Sequence, residues 1–463
     1  MTSAVGRAGA PALLSLMACP DCGGELKQQG KEITCCQCGL HLPLVANGGG
    51  LHPWAFKKPQ QALLEWKARL NGFLANNAAE QRRLNKALVE AKLRPSTYNR
   101  IRRKLQATEI HKAQVLDVLS PLKLEGLNFE DADPGSLIRS KLPKSQGLTG
   151  YYTNVFRDWV WGDQENQQML KTALSLLGDD AHGPTLTLGC GSGRLSYDLH
   201  QKLNPSLSVA LDLNPFLVLL ASRVISGETL PLVEFPVAPL EKDVIHQECV
   251  SPRRLSVGHD TRFAMVMGDA LQPPFVDQCF NAVVTPWLVD IVPQDFTQIA
   301  RTVNNLLTQD GVWANTGSLA FFHNNEDWRY SEEELLEVLA DSGFEVTHHE
   351  WVRQPYLQSP HSGHHRTEAV FSFSAKKRTH LLRQASEVFL PNWLTDQKQP
   401  VPSDAEYLVT SSSHLLKAQI MSAIDGKRSL DDIAHLVARQ YQLDPGEALQ
   451  AVQRILVDHY ETN

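Results

Sequence analysis

The chain has 463 residues, 42% of them hydrophobic, which is enough for two to four domains with substantial cores. Its net charge of −7 gives no global sign of a nucleic-acid binder. No apolar run approaches the roughly 18 residues that cross a bilayer, and the chain reads as cytoplasmic.

The opening MTSAVGRAGAPALLSLMA imitates a short leader, but it runs directly into cysteines at metal spacing, which argues against cleavage. Five of the eight cysteines lie between Cys19 and Cys38, a clustering that suggests a metal site in a reducing compartment more than a disulfide framework. Residues 14–50 hold Cys19-x2-Cys22 and Cys35-x2-Cys38, each pair followed by glycine, a spacing that suits four thiolates around one zinc ion. Cys36 is surplus, because using it would break the paired spacing. Four protein ligands leave no open position, so the expected zinc is structural. This piece resembles the small zinc-ribbon proteins that activate certain methyltransferases, and the ribbon that opens some ribosomal RNA methyltransferases. Standing ahead of the sheet described below, it is expected to be lost without much harm to that sheet's ligand binding.

Asn47-Gly48-Gly49-Gly50 reads as a hinge. Residues 51–146 follow as a basic helical segment, helical from Pro59 to about Leu122 with a break at Pro95-Ser96. Leu63, Leu64, Trp66, Leu70, Phe73 and Leu74 suggest a buried stripe, while Arg82, Arg83, Arg100, Arg102, Arg103 and Lys104 lie in polar stretches. From Lys57 to Lys112 there are 14 Lys or Arg against 4 Asp or Glu, a local excess of +10 that leaves −17 for the remainder. Such a face is either simply solvated or a docking surface for RNA or an acidic protein.

Residues 147–378 carry the strongest pattern. The segment opens with GLTGYYTNVFRDWVWGDQEN, whose aromatics and Arg-Asp pair suggest a lid or wall over a ligand. Thr185–Leu199, TLTLGCGSGRLSYDL, is a strand, a turn with Gly189, Gly191 and Gly193, and a helix-forming run. Glycines there let the backbone turn sharply and approach a ligand closely. Asp212 ends the next apolar run, where a carboxylate can accept hydrogen bonds from both hydroxyls of a ribose. Met265–Ala270, MVMGDA, ends a further strand on Asp269, within reach of an adenine amino group. Then come the strand FNAVVTP with its loop WLVDI, a helix near Asp295–Leu307, the strand from Gly311, and a helix opened by the capping-box form Ser331-x-x-Glu334. Strand candidates Phe344–Trp351 and Glu368–Ser374 close the segment. This predicts an α/β, doubly wound, Rossmann-like sheet with ligands over the carboxyl ends of its strands. A terminal strand pair after the last helix is the arrangement of the seven-stranded class I S-adenosylmethionine-dependent methyltransferases. A nicotinamide-binding fold is the competitor, but the glycine spacing and downstream Gly-Asp favour the methyl donor. Arg157 would then pair with the methionine carboxylate of that donor.

Residues 379–463 change pattern again. Leu415–Leu456 gives three amphipathic helices split by Gly426 and Pro445, a small α-rich module that resembles winged-helix domains, including peptide-binding ones of peptide-modifying pathways.

From about Tyr151 to Phe373 the chain resembles the carnosine N-methyltransferase family. The resemblance rests on Phe156–Trp159, the Gly-x-Gly-x-Gly-Arg-Leu turn at Gly189–Leu195, Gly268-Asp269, Trp287–Asp290, and Trp313-x-Asn315-x-Gly317-x-Leu319. It implies donor contacts from Asn154, Arg157, the Gly189/Gly191 turn, Asp212, Asp269 with Ala270, and Pro286. Three are substitutions, since the family usually has Gln, Glu and Cys where Asn154, Asp212 and Pro286 stand. The family's substrate-handling Asp matches Asp290, its His falls one residue early relative to His323, and its two acceptor-gripping tyrosines fall on His365 and Thr367. Asp290, His323 and His365 are therefore the candidate catalytic residues. Asp290 can orient an imidazole and stabilise its developing cation, or serve only as a helix N-cap. His323 can take a proton, or be an exposed loop residue.

The resulting expectation is an enzyme that methylates an imidazole or amine nitrogen of a small molecule, peptide or protein, with a protein partner on the ribbon or C-terminal module and no membrane contact. An RNA methyltransferase using the ribbon and basic arm is the alternative, although no Asn-Pro-Pro-Tyr-type motif stands at Thr285-Pro286-Trp287-Leu288. A non-enzymatic adaptor with a relict donor pocket is the third reading.

Overall fold

The computed structural model describes residues 9–90, 92–124, 147–178, 181–240, 246–250, 260–321, 326–382, 398, 400 and 405–462. The chain divides into two compact units, Met1–Gln384 and Ala385–Asn463.

The first unit opens with α1 (Gly9–Leu16) and four strands, β1 (Leu26–Gln29), β2 (Glu32–Cys35), β3 (His41–Asn47) and β4 (Gly50–Ala55). Successive strands pair antiparallel, and β4 then pairs parallel with β9 (Phe263–Gly268), setting Trp54 opposite Met267 and Ala55 opposite Gly268. The ribbon is thus the edge of the main sheet, not a detached appendage, and this removes the ground for expecting that its loss would spare the sheet. Backbone bonds from Ala18 N to Pro274 O (2.9 Å) and from Val276 N to Leu16 O (2.9 Å) add to the join.

Asn47–Gly50 is correspondingly not a hinge. It is the tight turn between β3 and β4, docked on α7 (Pro215–Ile225). Asn47 Nδ2 donates to Leu219 O at 2.6 Å, and a Cβ on Gly48 would stand 2.5 Å from Ser222 O. Gly48 also has φ +53°, so both space and backbone conformation call for glycine.

Two long helices follow, α2 (Pro59–Glu90) and α3 (Pro95–Leu119). Pro95 sits at the first turn of α3, where its missing N–H costs nothing. Ala62, Trp66 and Leu70 of α2 are buried, as are Val115, Val118 and Leu119 of α3, which packs on α7. Arg82, Arg83, Arg100, Arg102 and Arg103 at the far end are exposed.

The remaining strands are β5 (Thr185–Leu188), β6 (Ser208–Asp212), β7 (Leu230–Glu234), β8 (His246–Val250), β10 (Phe280–Pro286), β11 (Leu307–Gly317), β12 (Phe344–Tyr356) and β13 (Arg366–Lys377). The main sheet runs β1-β2-β3-β4-β9-β6-β5-β10-β11-β13-β12, with parallel pairing from β4 to β11 and antiparallel pairing at β13 and β12. The inner strands are near-continuous apolar runs, as a parallel sheet covered on both faces requires. Seven of its strands, β9-β6-β5-β10-β11-β13-β12, come from the segment read as the catalytic sheet, and the other four come from the N-terminal region. Strand order reverses on either side of β5, and this switch point is where a parallel sheet opens a crevice for ligands. The antiparallel pair β7–β8 forms a separate small sheet that the sequence pattern does not announce.

Helices α4 (Tyr152–Phe156), α5 (Asp163–Leu177), α6 (Arg194–Leu203), α7, α8 (Phe296–Leu306) and α9 (Glu332–Asp341) cover the sheet. Their starts follow local chemistry. Asn214 accepts from Phe216 N ahead of α7, Asp295 from Thr297 N ahead of α8, and Ser331 with Glu334 completes a reciprocal capping box on α9. Phe296, Ile299, Ala300 and Val303 form the buried stripe of α8. Helices and sheet close over a core centred on Trp313, Phe371 and Phe373.

The second unit has three helices, α10 (Ala405–Ser422), α11 (Leu430–Tyr441) and α12 (Pro445–Thr462), around Ile420, Ile433, Val437, Ala448 and Val452. Ser429 and Asp432 make a capping box at the start of α11. Among the described residues of this unit there is no strand.

Candidate active site

A cavity of about 550 Å³ opens over the carboxyl ends of β9, β6, β5 and β10, with β12 and β13 bounding its far side. Its floor is the turn after β5. Gly189 (φ +69°) and Gly191 (φ +57°) both line it in left-handed conformations, and a Cβ on Gly189 would come within 2.8 Å of Leu288 Cδ1. Gly193 plays a different part from the donor contact expected of it. It faces Ala221 and Met265, where a Cβ would have 3.3 Å of clearance, and it lets α6 start close to the sheet rather than lining the cavity.

Asp212 braces this floor. Its carboxylate accepts from Gly191 N at 2.7 Å and from Asn214 N at 2.8 Å, and the Leu213 backbone N–H bonds it as well. A carboxylate has about four acceptor sites, so beyond these backbone bonds it can still accept from a ribose hydroxyl, as its position suggests. Burial pushes its pKa up to about 6, against the pull of those backbone N–H groups. Asp269 lies at the end of β9 and accepts from Leu271 N at 2.9 Å, and Asp269, Ala270 and Pro286 all line the cavity.

The aromatic segment forms the next wall. Asn154 and Arg157 both line the cavity, with Arg157 opening a π-helical turn, Arg157–Trp161. Such turns are rare and cluster at functional sites. Arg157 Nε donates to Asp158 at 2.7 Å and lies 3.6 Å from Glu165. Burial opposes its charge, but the two carboxylates outweigh burial and hold the guanidinium ionised. Glu165 is pushed up to about 7, burial exceeding the attraction of Arg157. Three bonds tie this wall to the glycine turn: Ser192 Oγ donates to Asp158, Trp159 Nε1 to Ser192 O (2.9 Å), and Arg194 to Asp158 O (2.7 Å).

The other end of the cavity is made of side chains. Asp290 is 5% exposed, hydrogen-bonded to Ser318, and pushed by burial to about 6. It is not a helix cap, because α8 begins later and is capped by Asp295. Trp287 lies beside it at φ +51°, a left-handed conformation that a bulky residue adopts only where its surroundings impose it. Its N–H bonds Thr316 O at 2.9 Å, and a Cβ on Gly317 would press within 3.1 Å of its backbone. The Trp287 and Tyr356 rings lie 4.7 Å apart, the Arg366 guanidinium stacks 4.3 Å over Tyr356, and Arg366 Nε pairs with Glu368 at 2.9 Å. Trp287, Tyr356, Arg366 and Glu368 all line the cavity.

His365 is not brought to this site. It is exposed, does not line the cavity, and sets Nε2 2.8 Å from Ser359 O. The reason is the two-residue period of an extended chain, in which Arg366 and Glu368 face one side while His365 and Thr367 face the other. His323 lies outside the described residues. Tyr356, Arg366 and Glu368 are among the cavity residues that sequence reasoning missed. The alternation of Arg366 and Glu368 at the start of a strand was the available signal.

Far from these groups along the chain, the Sγ atoms of Cys19, Cys22, Cys35 and Cys38 lie within 4.8 Å of one another. Cys19 and Cys38 are 3.6 Å apart and Cys22 and Cys35 3.5 Å. A tetrahedron with Zn–S bonds of about 2.3 Å has sulfur–sulfur edges of about 3.8 Å, so the four thiols fit a zinc ion.

A glycine turn at the switch point, an acid closing the second strand and an Asp-Ala pair closing the third make this the site of an S-adenosylmethionine-dependent methyltransferase, and the chain is an enzyme of that class. The family described as carnosine N-methyltransferase matches residues 142–379, just over half of the chain, and the chain belongs to that family. No curated protein matches it. Among solved structures it is similar to a putative methyltransferase from Bacillus halodurans, at 14% identity, 46% coverage of this chain, 100% of the other and a TM-score of 0.33. It is also similar to phosphoethanolamine N-methyltransferase 2 of Haemonchus contortus bound to phosphomonomethylethanolamine and S-adenosylhomocysteine, at 13% identity, coverages of 51% and 58%, and a TM-score of 0.34. A third is a Haloferax volcanii complex between the Trm112 methyltransferase activator and a putative methyltransferase, at 14% identity, coverages of 50% and 98%, and a TM-score of 0.34. Among the described residues no helix is long and apolar enough to cross a membrane.

Proposed function

We propose that the enzyme transfers a methyl group from S-adenosylmethionine to an imidazole or amine nitrogen of a small molecule, peptide or protein. What carries this reading is the buried Asp290 carboxylate beside the Trp287–Tyr356 ring pair, at the end of the cavity opposite Asp212 and Asp269. The donor supplies an electrophilic methyl group on a sulfonium. Asp212 holds the ribose hydroxyls, Asp269 and Ala270 the adenine, Asn154 and Arg157 the methionine end, and the backbone at Gly189, Gly191 and Pro286 the space between them.

In the acceptor half, Asp290 accepts one N–H of the acceptor and so turns its lone pair toward the methyl group. The same carboxylate stabilises the positive charge that grows on the ring or amine. Trp287 and Tyr356, packed on each other, form an aromatic wall against which a flat acceptor rests, and this limits its rotation, which is where most of the rate gain of such a transfer comes from. Glu368 holds the Arg366 guanidinium over Tyr356 and so fixes that ring against the acceptor. His323 is the proposed proton acceptor, with His365 left to a role outside the cavity.

Zinc at Cys19, Cys22, Cys35 and Cys38 would be structural. The proposed domains are 14–50, 51–146, 147–378 and 379–463, the last a winged-helix-like module that engages a peptide or protein partner. The proposed setting is the cytoplasm.

Methylation of RNA is the runner-up, motivated by the exposed arginines of α2 and α3. The pairing of Arg366 with Glu368 works against it, since among the described residues it leaves Asp290 as the unmatched charge at the acceptor end and no free cation there for a phosphate backbone. The test offers the full chain labelled donor with carnosine, histidine-containing peptides, and extract separated into RNA, protein and small-molecule fractions. Label on a histidine or amine compound supports the proposal. Label confined to RNA, or no transfer to any fraction, overturns it.

A further inference from the structure

The donor cavity has a wall that comes from outside residues 142–379. Trp66 of α2 lines it, in company with Leu213 and Leu217 beyond the end of β6. The indole is 3% exposed and packs in the cluster that holds Trp54 and Phe56, and Arg69 covers it with its guanidinium 5.5 Å from the ring. Trp66 is therefore held in place by its neighbours rather than free to swing.

Its place along the cavity follows from the sheet. β4 pairs with β9 through Ala55 and Gly268, one residue before Asp269, and the chain leaving β4 passes directly into α2. Trp66 thus stands on the side of β5 that carries Asp212 and Asp269. The acceptor residues Asp290, Tyr356 and Glu368 come from β10, β12 and β13 on the other side.

We infer that the N-terminal segment completes the donor site in cis: Trp66 is the wall on which the adenine–ribose end of the donor packs, and the ribbon sets its position by pairing β4 with β9. This rests on the donor reading above. With 3% of the indole exposed and Arg69 over its ring, Trp66 meets the donor by an edge rather than by stacking, and the loss on removing such an aromatic contact is up to about ten-fold in affinity. The four-thiol site belongs to the same argument, because a ribbon too small to hold a core of its own depends on its metal to fold.

Calorimetry on the full chain tests this with two ligands, S-adenosylhomocysteine and 5′-methylthioadenosine, the second keeping adenine and ribose but lacking the amino-acid end. Trp66→Leu, which keeps an apolar side chain but removes the ring, is expected to weaken both by a similar factor of up to about ten, and Trp66→Phe, which returns a ring, to restore most of the affinity. Cys22→Ser is expected to weaken both as well. Unchanged affinity for methylthioadenosine in Trp66→Leu overturns the wall, and unchanged affinity in Cys22→Ser overturns the ribbon's part. If the unaltered chain binds neither ligand, it is the donor reading itself that fails.

Discussion

The donor half of the cavity is built mostly from backbone at the ends of β5, β6 and β9, braced by carboxylates that bond to it. The acceptor half is built from side chains that project from β12, β13 and the loop after β10. In the first, position depends on glycine conformations and main-chain bonds, such as Asp212 to Gly191 N and Asn214 N. In the second it depends on which face of a strand a residue occupies, so a shift of one position replaces the whole set. The donor half can thus stay constant while acceptor preference changes.

If the two halves are separable in this way, Asp290→Asn should lower the methyl-transfer rate by about 10²–10³, the usual loss when one preorganised charge is removed, and leave donor affinity nearly unchanged. Single-turnover kinetics beside calorimetry measures both, and a parallel loss of donor affinity would merge the halves. Asp212→Ala should do the reverse at the donor end. Losing its ribose contact costs roughly 2–3 kcal/mol, about 30- to 150-fold in donor affinity.

Stability gives a third contrast. Asp290 has its folded pKa raised from the ordinary carboxylate value to about 6, so the stability it contributes is present in acid and lost as pH rises through about 6. Asp290→Asn mimics the neutral form and should raise Tm by a few degrees near pH 8 while changing little near pH 4. Thermal melts at the two pH values check the sign. The smallest expected effect is that of His365→Ala, which should leave rate and donor affinity within about two-fold, because the side chain faces away from the cavity.

How far the sequence disclosed all this follows the same division. The strand–glycine–helix run at Thr185–Leu199 and the Asp212 and Asp269 strand ends were legible, since local backbone requirements leave local residue patterns. Gly193 was legible as a required glycine but not as a packing one, because that depends on Ala221 and Met265 from other elements. The capping box at Ser331 was visible for the same local reason, whereas the cap weighed for Asp290 belongs to Asp295. Tyr356, Arg366 and Glu368 were not, because only the pairing of β12 with β13 brings Tyr356 opposite Arg366. The union of the ribbon with β9 was hidden as well, since pairing across some 200 residues leaves no trace in either segment's own pattern.

The most direct measurement of the central claim is where the methyl group goes. With a donor labelled with ¹³C in its methyl group and the acceptor found by label transfer, NMR of the product reads the atom to which the methyl carbon is bonded. The account predicts a methyl carbon coupled to an imidazole or amine nitrogen, formed by the unaltered enzyme and scarcely by Asp290→Asn. A methyl group on carbon, oxygen or sulfur, or one formed equally well without the Asp290 carboxylate, would contradict it.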